Sequence, residues 1–136
     1  MRLKCITIII FLTLSKISLA LLPKPEVCPS VSDMKAVGID ILVEKDGYWY
    51  GGVSSANYDT NYNWTLLMGA YKAKDEDDAK SQMVVSLHAL TFEIGPLPFQ
   101  LIEKDSWICS YRDKTGHKVG TITPAMKYDH YIYKYL

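Results

Sequence analysis

The sequence predicts an α+β domain: a small antiparallel sheet of about five strands, two helices packed on one side, and one disulfide bond. Three observations support this fold class. Short segments of alternating apolar and polar residues are separated by turn residues, which is typical of antiparallel strands. Two other segments carry helix-capping residues and apolar residues at helical spacing. Two cysteines, Cys28 and Cys109, lie far apart in the chain.

The elements are predicted from these patterns one by one. In chain order they are a helix at residues 30–38, strands at 39–45, 48–53 and 64–72, a helix at 75–90, and strands at 106–112 and 118–123. Ser30 or Ser32 can cap the first helix, and Gly38 is placed to end it. Asp46-Gly47 is a strong signal for a tight hairpin turn between the first two strands.

The second helix begins with an acidic run at residues 75–78, in which Asp75 is placed as the cap. Calcium binding is the alternative, but the run lacks a coordinating loop with a glycine. The apolar stripe of this helix consists of Ala79, Met83, Leu87 and Leu90. Residues 95–98, with the sequence Gly-Pro-Leu-Pro, are expected to form a rigid connector rather than a strand.

The first twenty residues have the layout of a secretory signal peptide. Arg2 and Lys4 precede an apolar run, and Ser18-Leu19-Ala20 places small residues before a cleavage site. The apolar run is too short to span a bilayer comfortably, and an uncleaved anchor is the alternative. We therefore expect an exported protein, periplasmic or secreted. Its mature chain is expected to be one domain, residues 21–136, with no membrane span and a tyrosine-rich tail at 125–136.

The charge balance argues against nucleic acid as a partner. The whole chain has fifteen basic and fifteen acidic residues. Loss of residues 1–20 removes Arg2, Lys4 and Lys16, which leaves twelve basic residues against fifteen acidic ones and a net charge near −3. Binding to phosphates requires clustered Lys and Arg residues, and no segment contains such a cluster.

Export would remove Cys5 with the signal peptide, and it determines how the two remaining cysteines, Cys28 and Cys109, are interpreted. In an oxidising compartment an even number of cysteines in a small domain indicates a disulfide. A bridge between Cys28 and Cys109 would close a loop of about eighty residues and contribute roughly 4–5 kcal/mol in the chain-entropy model. A reactive or metal-binding pair is the alternative, but neither cysteine has a CxxC or Cys/His neighbour.

No catalytic motif is present, so the chain is predicted not to be an enzyme and to hold no metal ion through its own side chains. His88 and His117 are interpreted as ordinary surface residues. The candidate ligand residues lie in the tail: His130, Tyr131 and Tyr135, because imidazole and phenolate are both ligands of haem iron. The alternative is an amphipathic final strand whose tyrosines pack or lie along an edge.

A set of residues along most of the mature chain matches a known family in order. They are Cys28-Pro29-Ser30, Lys35-Ala36-Val37-Gly38, Tyr58-Asp59-Thr60-Asn61 with Trp64-Thr65, Pro96 and Pro98, Trp107-Ile108-Cys109-Ser110-Tyr111, and Thr123-Pro124. In these residues the chain resembles the small exported proteins of Legionella called hemin-binding protein, a domain of unknown function. The resemblance implies haem as a ligand, but the tyrosine-rich tail lies outside the matched residues.

Two classes of function are therefore expected from the sequence. The first is an exported, non-enzymatic binding protein whose ligand is hemin. The second is a structural or adaptor module of the cell envelope, or a secreted factor that binds a protein partner. Aromatic residues at 48–50 and in the tail motivate the second class, because exposed aromatic side chains are favoured at interfaces.

Overall fold

The computed structural model describes residues 22–101 and 104–126. Two helices and six strands are present in this part of the chain. In order they are α1 (Val31–Val37), β1 (Ile41–Lys45), β2 (Tyr48–Ala56), β3 (Trp64–Tyr71), α2 (Glu76–His88), β4 (Thr91–Leu101), β5 (Lys104–Arg112) and β6 (Lys118–Thr123). The α+β class is thus confirmed. The number of strands is six rather than about five.

The six strands form one sheet in the order β1-β2-β3-β6-β5-β4, and every neighbouring pair is antiparallel. Tight connections join β1 to β2 and β5 to β6, as the turn residues predicted. β6, the last strand of the described residues, lies between β3 and β5 and so in the middle of the sheet. β1 and β4 form the two edges.

The additional strand is β4, which includes the segment expected to be a rigid connector. Pro96 and Pro98 lack the backbone N–H that a central strand must donate to both neighbours. An edge strand has only one neighbour, so proline is tolerated there. Pro98 lies opposite Trp107 of β5, and the pairing shifts register twice between Phe92 and Leu97. The edge position explains why this proline-containing segment is a strand.

Both helices pack on the same face of the sheet and bury the main core there. Ser30 caps α1 by accepting the backbone N–H of Asp33 at 3.1 Å, and Asp75 caps α2 by accepting that of Asp78 at 2.8 Å. The core joins residues from both helices to four strands: Met34, Val53, Trp64, Leu66, Met68, Met83, Leu87, Cys109, Tyr111 and Val119 are among its members. The predicted apolar stripe of α2 is therefore confirmed.

The paired glycines of β2 allow α2 to approach the sheet closely. A Cβ atom at Gly51 would lie 2.6 Å from Sδ of Met83 and 2.8 Å from the carbonyl oxygen of Ile41. The β2–β3 pairing also shifts register between Trp49 and Gly51. A neighbouring element, rather than a ligand, accounts for the missing side chain.

The predicted disulfide between Cys28 and Cys109 is present. It joins the segment before α1 to the middle of β5, and Cys109 is fully buried in the main core. Close to it, the hydroxyl of Tyr111 donates a hydrogen bond of 2.6 Å to the carbonyl oxygen of Pro29. The bridge and this hydrogen bond together hold the start of the described chain on the sheet.

The opposite face of the sheet, here called the open face, carries no helix in the described part of the chain. Its centre is a small apolar cluster in which Ile108 and Met126 pack against the buried Leu67 and Ile122. Met126 lies just beyond β6. Its backbone N–H donates to Oγ1 of Thr65 at 2.7 Å, which fixes the chain over this face.

Within residues 22–101 and 104–126, no helix is long and apolar enough to cross a membrane. The predicted signal peptide, residues 1–20, lies outside the described residues. The same holds for His130, Tyr131 and Tyr135, so their role as ligands stays a prediction.

Candidate functional site

The densest group of polar side chains lies at the turn between β5 and β6. Asp113 is only 7% exposed there. Its Oδ1 accepts the backbone N–H groups of Thr115 at 2.8 Å and His117 at 2.9 Å, together with the hydroxyl of Thr115 at 2.8 Å. Asp side chains commonly organise turns by accepting the backbone N–H groups that follow them. This carboxylate therefore holds the turn and fixes the position of His117.

The second oxygen of Asp113 connects the turn to α2 and β3. The hydroxyl of Ser86 on α2 donates to Oδ2 of Asp113 at 2.7 Å, and the hydroxyl of Tyr71 on β3 donates to Oγ of Ser86 at 2.8 Å. Ser86 and Tyr71 are both buried. We call these residues, with Thr115 and His117, the Asp113 cluster. It joins three elements through one buried carboxylate.

The hydrogen bonds of the cluster keep Asp113 ionised. Burial alone raises the pKa of a carboxyl group, because the charged form loses its hydration. Here the hydroxyls of Ser86 and Thr115 and the backbone N–H groups of His117 and Thr115 outweigh that effect and lower the pKa of Asp113 to about 2. Tyr71 shows the opposite result, since burial and the nearby Asp113 charge raise its pKa despite the hydrogen bond to Ser86.

The network also determines the tautomer of His117. Nδ1 of the imidazole lies 3.2 Å from Oδ2 of Asp113 and 2.7 Å from Oγ1 of Thr115. The hydroxyl proton of Thr115 is already donated to Asp113, so both neighbours of Nδ1 act as acceptors. Nδ1 therefore carries a proton, so in the neutral imidazole the lone pair is on Nε2. A carboxylate that orients a histidine in this way is the usual partner of a metal-ligating imidazole.

His117 lies at the wall of an open cleft of about 370 Å³. Its ring stacks on that of Tyr71, with 4.6 Å between the ring centroids. Across the cleft lie Val85 and Ala89 of α2, and Lys114 lies at the turn. The volume is near the lower limit for a small-molecule site. The cleft thus combines two apolar side chains of α2, the imidazole of His117 and one cation.

Ser86, Asp113 and His117 do not form a catalytic triad. In a triad the nucleophilic serine donates its hydroxyl proton to the histidine, and the carboxylate orients the histidine. Here Ser86 donates directly to Asp113, and its hydroxyl is buried and accepts from Tyr71. Ser86 is therefore not available as a nucleophile.

No group of three or more His, Cys, Asp or Glu side chains that could hold a metal ion exists among the described residues. Among the described residues, a bare ion would therefore find fewer than three such ligands in the cleft. A metal complex that carries most of its own ligands needs only one from the protein. Haem is such a complex.

The aromatic residues expected at an interface are only partly available. Tyr48 is exposed, whereas Trp49 and Tyr50 are partly buried. Trp49 packs against the main core. The ring of Tyr50 lies against Gly69, where a Cβ atom would be 2.3 Å from it. Most of this aromatic surface therefore serves packing within the domain.

The cleft was missed by sequence reasoning, which treated His117 as an ordinary turn residue. The segment Asp113-Lys114-Thr115-Gly116-His117 does contain one usable signal, since Asp followed by Thr and Gly is typical of a side-chain-organised turn. The contribution of Ser86 has no comparable signal, because a serine on a helix gives no indication of a partner 27 residues away.

Comparisons with known proteins give no match: no family model, no curated protein and no solved structure is similar to this chain.

Proposed function

We propose that the chain is an exported, non-enzymatic binding protein and that the cleft beside α2 binds haem through Nε2 of His117. The observation that carries this proposal is the orientation of His117. Its Nδ1 is held by Asp113 and Thr115, so the ring is oriented and, in the neutral imidazole, Nε2 is the nitrogen whose lone pair can bind a metal. The disulfide supports export, because such bonds persist in oxidising compartments.

The residues of the cleft fit the chemistry of haem. A porphyrin supplies four ligands to its iron, so one imidazole is a sufficient protein ligand. Val85 and Ala89 present apolar side chains to a flat ring, and Lys114 is a cation that can pair with a propionate. When bound, haem would supply an iron centre whose fifth ligand is His117. The cleft is open on one side, so one edge of the porphyrin would remain in solvent.

A hemin titration followed by absorbance tests this proposal. We expect a saturable Soret shift with a one-to-one endpoint, and loss of that shift in His117→Ala. The matched control is His88→Ala, which makes the same change at an exposed residue at the end of α2, outside the cleft. A second control is an unrelated disulfide-bonded domain of similar size, titrated in the same way. Its absorbance change measures the non-specific adherence of hemin to apolar surfaces.

The tail residues provide the competing assignment. A shift that persists in His117→Ala but disappears in Tyr131→Ala, Tyr135→Ala or His130→Ala would place the ligand in the tail and overturn the cleft. An unsaturable rise equal to that of the control domain would refute haem binding altogether. The adaptor class, with a protein partner, would then be the function to test by co-purification.

A further inference from the structure

A second pocket lies beside β4 and β5 and is here called the β4–β5 pocket. It has a volume of about 390 Å³, and its lining includes Leu22, Gln100, Asp105 and Trp107. This volume is near the lower limit for a small-molecule site. The residues that line it and those that line the cleft with His117 have no member in common. The β4–β5 pocket is therefore a separate candidate site.

Trp107 provides the aromatic surface of the β4–β5 pocket. It lies two residues before Cys109 in β5, so alternation places both side chains on the face of the sheet that carries the helices. The indole Nε1–H donates to the carbonyl oxygen of Leu22 at 3.1 Å, and the bridge at Cys28 holds the same segment on the sheet. The indole is thus positioned before a ligand arrives, which lowers the entropic cost of binding.

Gln100 and Asp105 provide polar groups next to this ring. They lie directly opposite each other in the β4–β5 pairing, so their Cβ atoms are about 5 Å apart. Asp105 is two residues from Trp107 in β5, which places all three side chains on one face. Both polar residues are exposed, and within residues 22–101 and 104–126 neither side chain forms a hydrogen bond. A carboxylate acceptor and an amide are therefore available to a ligand.

Two opposite charges lie near the indole. Nζ of Lys24 is 5.9 Å from the centroid of the Trp107 ring, and the carboxylate of Asp105 belongs to the lining of the pocket. A cationic ligand against the indole would be repelled by Lys24, and an anionic ligand by Asp105. A neutral ligand that carries several hydroxyl groups avoids both repulsions.

We propose that the β4–β5 pocket binds a neutral carbohydrate. A sugar ring has an apolar face of C–H groups, which packs on the indole of Trp107. It also has a rim of hydroxyl groups, which donate to Asp105 and form hydrogen bonds with the amide of Gln100. An aromatic surface with a few placed polar groups is the usual composition of a small-molecule site. This assignment does not depend on haem binding by His117.

Titration of the ¹⁵N-labelled full chain with disaccharides, followed by NMR, tests the proposal. The chain is prepared with the Cys28–Cys109 bridge formed. The probes are maltose, lactose, cellobiose and chitobiose, and choline chloride is the cationic control. We expect at least one disaccharide to cause a saturable shift of the indole N–H signal of Trp107. The indole signals of Trp49 and Trp64, which do not line the pocket, should stay in place.

Two variants and one matched control locate the site. Asp105→Ala should weaken binding of the responding disaccharide about tenfold and Gln100→Ala about threefold, because a hydrogen bond to a charged group is the stronger of the two. Asp77→Ala removes the same side chain as Asp105→Ala from an exposed position on α2, outside the pocket. Its affinity should equal that of the wild type. Dispersed amide signals show that each variant is folded.

Two results would overturn the proposal. The first is a Trp107 indole signal that none of the disaccharides shifts; a shift with choline alone would identify the pocket as a cation site instead. The second is equal affinity of the wild type, Asp105→Ala and Gln100→Ala, which would place the sugar outside the pocket.

Discussion

Asp113→Asn is expected to destabilise the protein in a pH-dependent way. The pKa of the Asp113 carboxyl group is lowered from 3.8 to about 2. This shift corresponds to about 2 kcal/mol of stability at neutral pH, because a shift of one pKa unit is worth about 1.4 kcal/mol. Asparagine keeps an acceptor for the backbone N–H groups of Thr115 and His117 but places an NH₂ group near Nδ1–H of His117. The total expected loss at pH 7 is about 2 to 4 kcal/mol.

The sign of the pH dependence follows from the direction of the shift. The folded state holds the charged form of Asp113 more strongly than the unfolded chain does. Its contribution is therefore fully present above the unfolded pKa of 3.8 and is lost as the pH falls through the folded pKa of about 2. Between pH 7 and pH 3, about 1 kcal/mol of the difference between wild type and Asp113→Asn should disappear.

Urea denaturation of both proteins at pH 7, 5, 4 and 3 measures this difference. The matched control is Asp105→Asn, which makes the same change at an exposed residue of β5, and its effect should be small at every pH. A difference between wild type and Asp113→Asn that stays constant from pH 7 to pH 3 would refute the assignment of Asp113 as a charged, buried organiser of the turn.

Three other changes should also alter stability, each measurable by urea or thermal denaturation. Replacing Cys28 and Cys109 by Ser should cost roughly 4 kcal/mol, because the bridge closes a loop across 81 positions; an unchanged midpoint would contradict that. Gly51→Ala should cost about 1–3 kcal/mol by overpacking against Met83, and a neutral result would mean that α2 shifts freely. Asp75→Ala should cost about 1 kcal/mol through loss of the α2 cap, and no loss would show that water replaces the cap.

Local patterns predicted most of the fold because they report local structure. The caps at Ser30 and Asp75 and the turn at Asp46-Gly47 depend on residues within a few positions of one another. The disulfide followed from the compartment and the number of cysteines rather than from geometry. Each of these features can be read without knowing which strands are neighbours.

The strand β4 was missed because its identity depends on its place in the sheet. The Gly-Pro-Leu-Pro sequence at residues 95–98 argues against a strand with two neighbours. In the strand order of the described residues, β4 lies at the edge and pairs only with β5. This edge position is what makes the two prolines compatible with a strand. That order is a long-range property, and alternation within one segment carries no information about it.

The sequence predicted less of the candidate site than of the fold. Tyr71, Ser86 and Asp113 come from β3, α2 and the β5–β6 turn, and no spacing in the sequence places them together. His117 became a candidate ligand only through its contacts with Asp113 and Thr115. Sequence reasoning instead selected residues by their type, which led to the tail.

The central position of β6 has a consequence for the order in which the molecule can be completed. The strands made before it form two separate groups, β1-β2-β3 and β4-β5, and β6 alone joins them. Because synthesis proceeds from the N-terminus, a chain that has not yet released residue 123 exposes an unpaired edge on β3 and another on β5. The sheet therefore closes only after residue 123 has emerged. A chain stopped before that residue therefore stays incompletely folded, with its two groups of strands not yet joined.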